Sequence, residues 1–552
     1  MTGTSERTPA RADAALVFVL SALVVVVAHR HGLFSPFVIN DDARQQIYWM
    51  QRFRDAALYP ASLLNDYAAA YVPAGVKALY LAASPFFEAL FFSKILTGLL
   101  FCLTAVAFFL IGRTVDGRIL GYACAASVWL LPFFLKGISG GLSRSFAPPL
   151  LAFFLLAWLR GSRSGMALVL AVQALTIPYM CVLCAASCTL GAAVSRLRRK
   201  GPPPFPARPV DLAVLAACAG VVYAINHGLS AAGFGPLATT ADMAGNPAFS
   251  AAGRLDLYPL PNPFFDLVYT PFEGIGLFLD MGLVPGILSL AAIAAVAGLG
   301  ARRADYGPVL ASLRPAAYLV LASLGMYLAA RMLALRLFVP DRYVSYSLNM
   351  LYALGLAFFF CAALAPVLRR PGAKAGLLLL AMGLGAWRLT DAGLYDYGNQ
   401  AALYTAVRQT PTDAVFAGHP EIMDNVLTFG RRNVQASFEL AHPWLTGYWR
   451  QYEPRLNELF AAYYASDAQT VRDFASKYGV DYLVVNEADF RREFLAGRPF
   501  FAPFDQTIRD LAASVTSRGR GFILLDREAF PGIQVSESVR LIPLRSAPAP
   551  GF

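Results

Sequence analysis

The stretch FVINDDARQQIYWMQRF, residues 37–53, sets two adjacent carboxylates, Asp41 and Asp42, just ahead of Arg44 and a belt of glutamine and aromatic side chains. Two chemistries suit that order. In one, an Asn or Asp side chain caps a helix by accepting a hydrogen bond from a free backbone N–H of the first turn. A helix from about Ala43 to Arg54 would then follow, with Ile47, Trp49, Met50 and Phe53 lying in a membrane interface. In the other, a carboxylate is a general base that takes the proton from an attacking hydroxyl, a contribution of typically about 100- to 10,000-fold. A cap explains one acidic residue better than two. A helix N-terminus favours an ionised carboxylate in either role, so the choice between Asp41 and Asp42 stays open.

Cations accompany the pair. GGLSRSFAPP (140–149) carries Arg144 beside two glycines, and RMLALRLFVPDRYVSYS (331–347) carries Arg336 and Arg342 with Tyr343 and Tyr346. Lys77 follows in the same early polar stretch as Asp41. Arginine is the usual choice where phosphate oxygens need paired donors, and fixed cations lower the barrier when a leaving phosphate gains charge. Any single arginine also reads as snorkelling to a lipid headgroup. Arg331 is different, because it falls inside an apolar run, where ionisable residues face a partner or a cavity. Asp66, in LLNDYAAAY, is a candidate second carboxylate that orients substrate or binds Mg²⁺ or Mn²⁺, although no coordination set is fixed and the metal stays unknown. Asp256, Asp266 and Glu273 read as solvated loop acids, and His419 and His442 receive no role.

These residues must be held by a membrane protein. The 552 residues are 57% hydrophobic with a mean hydropathy of +0.52, which excludes an ordinary soluble enzyme. The net charge of +11 sits largely in short loops between apolar runs, as the positive-inside rule requires, so nucleic acid is not an expected partner. Cys181, Cys184 and Cys188 have a metal-like spacing, but they lie among small residues with no nearby His or acid and read as packing.

Spans are predicted near 14–30, 89–111, 119–135, 146–159, 210–229, 274–299, 315–338, 343–367 and 374–393. GMALVLAVQALTIPYMCVLCAASCTLGAAV (165–194) has basic residues at both ends, including Arg163, Arg196, Arg199 and Lys200. A hairpin of two short helices bending near Pro178 satisfies both ends, and it brings Tyr179 at its tip toward a site. The alternative is one tilted span. With the hairpin, the N-terminus is cytoplasmic. The loops 31–88, 136–145, 230–273 and 339–342 and the tail are external, so the polar motifs share one side. The division expected is a helical membrane domain over 1–393 and a soluble α/β domain over 394–552. AVFAG (414–418), VQAS (434–437), DYLVVN (481–486) and FILLD (522–526) are its predicted strands, alternating with helices such as AQTVRDFASKYG (468–479).

An acidic pair after the first span, a basic second external loop, a proline-tipped hairpin, a PxRY-like element at 340–343 and the tail segment KYGVDYLVV (477–485) together resemble the GT-C superfamily of membrane glycosyltransferases. The resemblance implies a mainly α polytopic bundle, about nine spans plus the hairpin, with a C-terminal α/β domain. It implies transfer of a sugar from a polyprenyl-phosphate donor to a glycan or lipid hydroxyl at the external face of a bacterial inner membrane. Asp41 or Asp42 matches the position of the family's catalytic aspartate, and Arg144 and Arg342 match positions of donor-phosphate contacts. Arg44, Asp66, Lys77, Tyr179, Arg336 and Tyr343 complete the expected substrate-binding set. The chain has neither the Asp-Glu pair of the protein mannosyltransferases nor a WWDYG motif. A transporter of lipid-linked sugars and a non-catalytic assembly factor of the same fold are the rival readings.

Overall fold

The computed structural model describes residues 10–198, 205–269 and 283–544. Arg199, Lys200, Glu273 and the first part of the 274–299 span lie outside them. Seven described helices are long and apolar enough to cross a membrane: Arg11–Ala28, Ala89–Asp116, Pro178–Leu197, Pro209–Ala231, Val284–Arg303, Arg314–Met332 and Arg342–Ala363. An eighth is added if Arg118–Leu130 and Pro132–Ile138, bent by 65° at Pro132, count as one span. The chain is thus a multi-pass helical membrane protein. Two runs read as spans from the sequence are not among them: Ala147–Leu159, which is a shorter helix, and Pro371–Arg388, which carries Lys374 and Arg388.

Close packing of the bundle relies on missing side chains. Ala89–Asp116 turns back through Gly117, at φ +87°, into Arg118–Leu130. A Cβ at Gly112 or Gly121 would come within 2.8 Å of a carbonyl oxygen of the facing helix, so small residues set the spacing, as is usual between helices in lipid. At the far end of this pair from the site, Asp13 joins three helices. It accepts from Arg113 at 2.6 Å, from Arg118 at 2.7 and 3.1 Å, and from the Tyr122 hydroxyl at 3.0 Å.

The hairpin forms. Arg163–Thr176 and Pro178–Leu197 meet at Ile177 and fold back on each other, with Gln173 Nε2 3.4 Å from Cys184 Sγ. Proline at the first position of the second helix lacks an N–H that would be unpaired there in any case. The Ser143 hydroxyl donates to the Thr176 carbonyl, which fastens the tip to the turn that carries Arg144.

The polar stretch after the first helix differs from its expected form. Ala43–Gln46 is one α turn, followed by a 3-10 helix over Tyr48–Phe53. Ile47, Trp49 and Met50 are fully buried in protein rather than laid on a membrane surface. Strand β1 (Val38–Ile39) pairs antiparallel with β2 (Tyr395–Asp396), so the chain just before Asp41 is hydrogen-bonded to the chain just before Tyr397.

Beyond β2 lies a five-stranded mixed sheet of β3 (Val415–Gly418), β4 (Asn433–Val434), β5 (Tyr482–Asn486), β6 (Ile533–Gln534) and β7 (Val539–Pro543). Its order is β4-β3-β5-β7-β6. β3 pairs parallel with β4 and β5, and β7 pairs antiparallel with β5. The helix Ala468–Tyr478 stops at Gly479, which takes the left-handed conformation at φ +66°. FILLD is not a strand. Ile523–Leu525 is a 3-10 turn whose Leu524 fills the core, and the Leu524 carbonyl accepts from the buried Arg540 of β7.

Candidate functional site

Asp41 and Asp42 sit on the link between β1 and the α turn, and neither caps it. The local donor is met by Asn40, whose Oδ1 accepts from the Asp42 N–H at 3.2 Å, leaving both carboxylates for other partners. They face different neighbours.

Asp42 accepts from Arg144 through Oδ2 and from Gln45 Nε2 at 3.1 Å through Oδ1. Arg144 also reaches Asn40 Oδ1 at 3.2 Å. Burial pushes the Arg144 guanidinium below its ordinary pKa, and Arg342 lies close enough to add to that shift. Arg342 opens the helix Arg342–Ala363, 3.8 Å from Asp341, and interacts with Tyr179 and Tyr346. Tyr179 stacks on Phe338 with centroids 4.9 Å apart. Arg144 thus stands between Asp42 and Arg342, two guanidinium groups from separate elements near each other, with the hairpin tip as one wall.

Asp41 accepts on one oxygen, Oδ1, from Arg44 and from the Tyr397 hydroxyl at 2.7 Å. Its Oδ2 has no hydrogen-bond partner among the described residues, and its side chain is 41% exposed, so that oxygen is free to accept from a ligand. Burial alone would raise the Asp41 carboxyl. Arg44 and the Tyr397 hydroxyl more than offset it and hold the carboxyl below its usual range.

Arg44 is not an open phosphate donor. Its side chain is buried, lies over the Tyr397 ring at 4.2 Å, and donates to Asn425 Oδ1 at 3.0 Å and Glu439 Oε1 at 3.3 Å. Asp424 stands 3.7 Å away. Arg254 donates to the other Glu439 oxygen at 3.2 Å and lies over Phe438 at 4.1 Å. The Ser437 hydroxyl and the Glu439 N–H donate to Asp424 Oδ1. Burial outweighs these attractions and raises the carboxyl of Asp424 to about 6 and that of Glu439 to about 7.

The remaining sequence candidates stand outside this arrangement. Asp66 is exposed in the first turn of Leu63–Tyr71, where the helix dipole favours an acid. Lys77 is half-buried and donates to the Ala69 carbonyl near the end of that helix, and burial lowers its pKa. Arg336 is exposed beside Asp242. Tyr343 is buried and ties its helix to the Leu337 carbonyl. Arg331 donates to the Pro261 carbonyl at 2.7 Å and pairs with Asp266 at 3.6 Å, so Asp266 is a partnered group rather than a solvated one. Tyr397, Arg254, Asp424, Asn425 and Glu439 were missed in the sequence. The available signal was an acid inside an otherwise apolar run, in ASFELA (436–441) and EIMDNV (421–426). His442, also set aside, is wholly buried, with Nδ1 2.7 Å from the Tyr67 hydroxyl and its ring stacked on Trp444.

Among the described residues no group of three or more His, Cys, Asp or Glu side chains is placed to hold a metal ion. Asp41, Asp424 and Glu439 are each paired with Arg44 or Arg254.

No family model matches the chain, and no curated protein matches it. Among solved structures, the Archaeoglobus fulgidus oligosaccharyltransferase in the apo form is 13% identical over 90% of this chain and 71% of its own, with a TM-score of 0.48. The archaeal enzyme AglB in complex with an inhibitory peptide and a dolichol-phosphate is 14% identical over 88% and 70%, at 0.42. ArnT from Cupriavidus metallidurans bound to undecaprenyl phosphate is 13% identical over 99% and 100%, at 0.46. Two of these neighbours hold a lipid phosphate, dolichol-phosphate in AglB and undecaprenyl phosphate in ArnT. At this identity and with TM-scores below 0.5, the likeness assigns neither a family nor a residue role.

Proposed function

We propose that the protein is an integral membrane glycosyltransferase that moves a sugar from a polyprenyl-phosphate donor to a hydroxyl of a glycan or lipid, with its site at the external face of a bacterial inner membrane. One observation carries this reading. Arg144 and Arg342 converge beside an aspartate pair in which Asp41 keeps one oxygen free. The two guanidinium groups suit a lipid phosphate, which gains charge as the sugar leaves. Asp41 is the base, with Tyr397 and Arg44 fixing Oδ1 and Oδ2 facing the acceptor hydroxyl. Its depressed pKa keeps it ionised at neutral pH. Asp42 holds Arg144 in place until the phosphate arrives and shares that cation with it. The C-terminal α/β domain, from about residue 394, covers the site.

Mass spectrometry of lipid-linked sugars and surface glycans tests this in cells with the intact protein, a deletion, Asp41→Asn and Asp42→Asn. The expected result is loss of one sugar unit and build-up of its polyprenyl-phosphate donor in the deletion and in Asp41→Asn. Unchanged products in Asp41→Asn would remove the base assignment.

A further inference from the structure

Glu439 and Asp424 lie about 400 positions after Asp41 in the sequence, and no step of the chemistry above uses them. Yet they are among the most deeply buried acids of the chain, and both face Arg44. We infer that Glu439 and Asp424 are positioning residues for this reaction: from the C-terminal domain they hold the Arg44 guanidinium, and through it they set the orientation of the Asp41 carboxylate. The inference rests on the reading of Asp41 as the base.

The geometry leaves Arg44 little freedom. A guanidinium is a rigid planar fork, so fixing two of its nitrogens fixes the direction of every remaining donor. Nη1 is held by Asn425 and faces Asp424, and Nη2 is shared between Glu439 and Asp41. The contact to Asp41 therefore points where the C-terminal domain directs it. Charge makes the arrangement responsive to protons. Glu439 is faced by Asp41, Arg44 and Gln45 from the first polar stretch and by Tyr71 from Leu63–Tyr71. Arg254, Asp424, Tyr397 and, on its own segment, His442 complete its surroundings. Three carboxylates share two guanidinium groups in a buried space, and such a cluster keeps one proton more readily than a solvated acid does. Protonating Glu439 removes the charge that draws Arg44 toward the C-terminal domain, and Asp41 loses its fixed neighbour.

Full-length variants are expressed in the deletion strain, and turnover of its accumulated lipid-linked sugar is followed by mass spectrometry in isolated membranes from about pH 5.5 to 8.5. Wild-type turnover is expected to fall as pH drops through about 7, as Glu439 takes up its proton. Glu439→Gln should lower kcat about 10- to 100-fold, leave the apparent KM for the donor within about twofold and abolish that acid limb. Glu439→Asp should restore part of kcat and keep the limb. A Glu439→Gln protein with wild-type kcat, or with the limb unmoved, overturns the inference. Should that variant fail to accumulate, Asn425→Ala carries the test through the neutral tether of Arg44. A drop in kcat of about 3- to 10-fold at unchanged KM supports the inference, and an unchanged kcat overturns it. Asp41→Asn separates the two levels. If it leaves turnover intact, the base assignment falls. If it abolishes turnover while Glu439→Gln and Asn425→Ala keep the wild-type kcat, only the positioning role falls.

Discussion

Two charged clusters sit at opposite ends of the first helices, built from the same residue types. Around Asp13, one acid meets two arginines and a tyrosine, and both its oxygens are taken at 2.6 to 3.1 Å. Around Arg44, three acids meet two arginines, and buried polar atoms such as Arg44 Nε and Asp424 Oδ2 lack a hydrogen bond. The first cluster saturates its buried acid and joins three neighbouring helices. The second leaves acid in excess, spans hundreds of residues of sequence and keeps one carboxylate oxygen open at Asp41. Saturation marks a structural fastening. An excess of buried acid, held at the cost of desolvation, marks a place where charge is meant to change.

The contrast can be broken experimentally. Asp41→Asn should cost about 100- to 10,000-fold in turnover with only a small change in melting temperature, because the side chain is 41% exposed. Arg144→Met should raise the donor KM by about 10- to 100-fold in a titration of turnover against donor, the scale of a lost charge-assisted hydrogen bond. Asp13→Asn should do the reverse of both. Turnover stays at the wild-type value, while a thermal unfolding series shows a loss of about 1–3 kcal/mol as Arg113 and Arg118 lose their acceptor.

Stability against pH gives a subtler difference. Asp424 and Glu439 have raised pKa values in the folded protein, so the folded state binds more protons than the unfolded chain from about pH 4 up to about 7. Melting temperature should therefore fall across that window as pH rises, and Glu439→Gln should flatten its upper part. Asp41 has the opposite sign. Its depressed pKa adds stability above the unfolded value of about 3.9, and that stability is lost on acidification. The smallest effects belong to Asp66→Asn and Arg336→Gln, both exposed outside the cluster, where turnover should stay within about twofold.

How far the sequence revealed this arrangement depended on the range of each signal. Apolar runs and basic flanks are local, so the bundle and the Pro178 hairpin were legible. Asp41, Asp42, Arg144 and Arg342 stood out because polar groups next to apolar runs do, and the fold sets Arg144 against Asp42 and near Asp41 and Arg342. The 3-10 helix over Tyr48–Phe53 was not, since its aromatic pattern fits an interfacial helix equally well and only tertiary packing buries it. β7 was missed because Arg540 and Pro543 break its apolar pattern, and FILLD was read in its place. Glu439 and Asp424 were missed for a different reason. Their significance lies in partners some 380 to 395 positions away, and no local pattern encodes such a pairing.

That separation also governs when the site can exist during synthesis. Glu439 follows Arg44 by 395 residues, and a ribosome adding roughly 5–20 residues per second needs on the order of 20 to 80 seconds to bridge them. In that interval the described membrane helices after the first are made, and until Tyr395–Tyr397 emerge the first polar stretch waits with β1 unpaired and Asp41 without Tyr397. A chain that stops short of Asp424 carries Asp41, Arg144 and Arg342 without the groups that hold Arg44. On the proposed reading, the site is therefore unassembled until the segment that carries Asp424 and Glu439 has been made and folded.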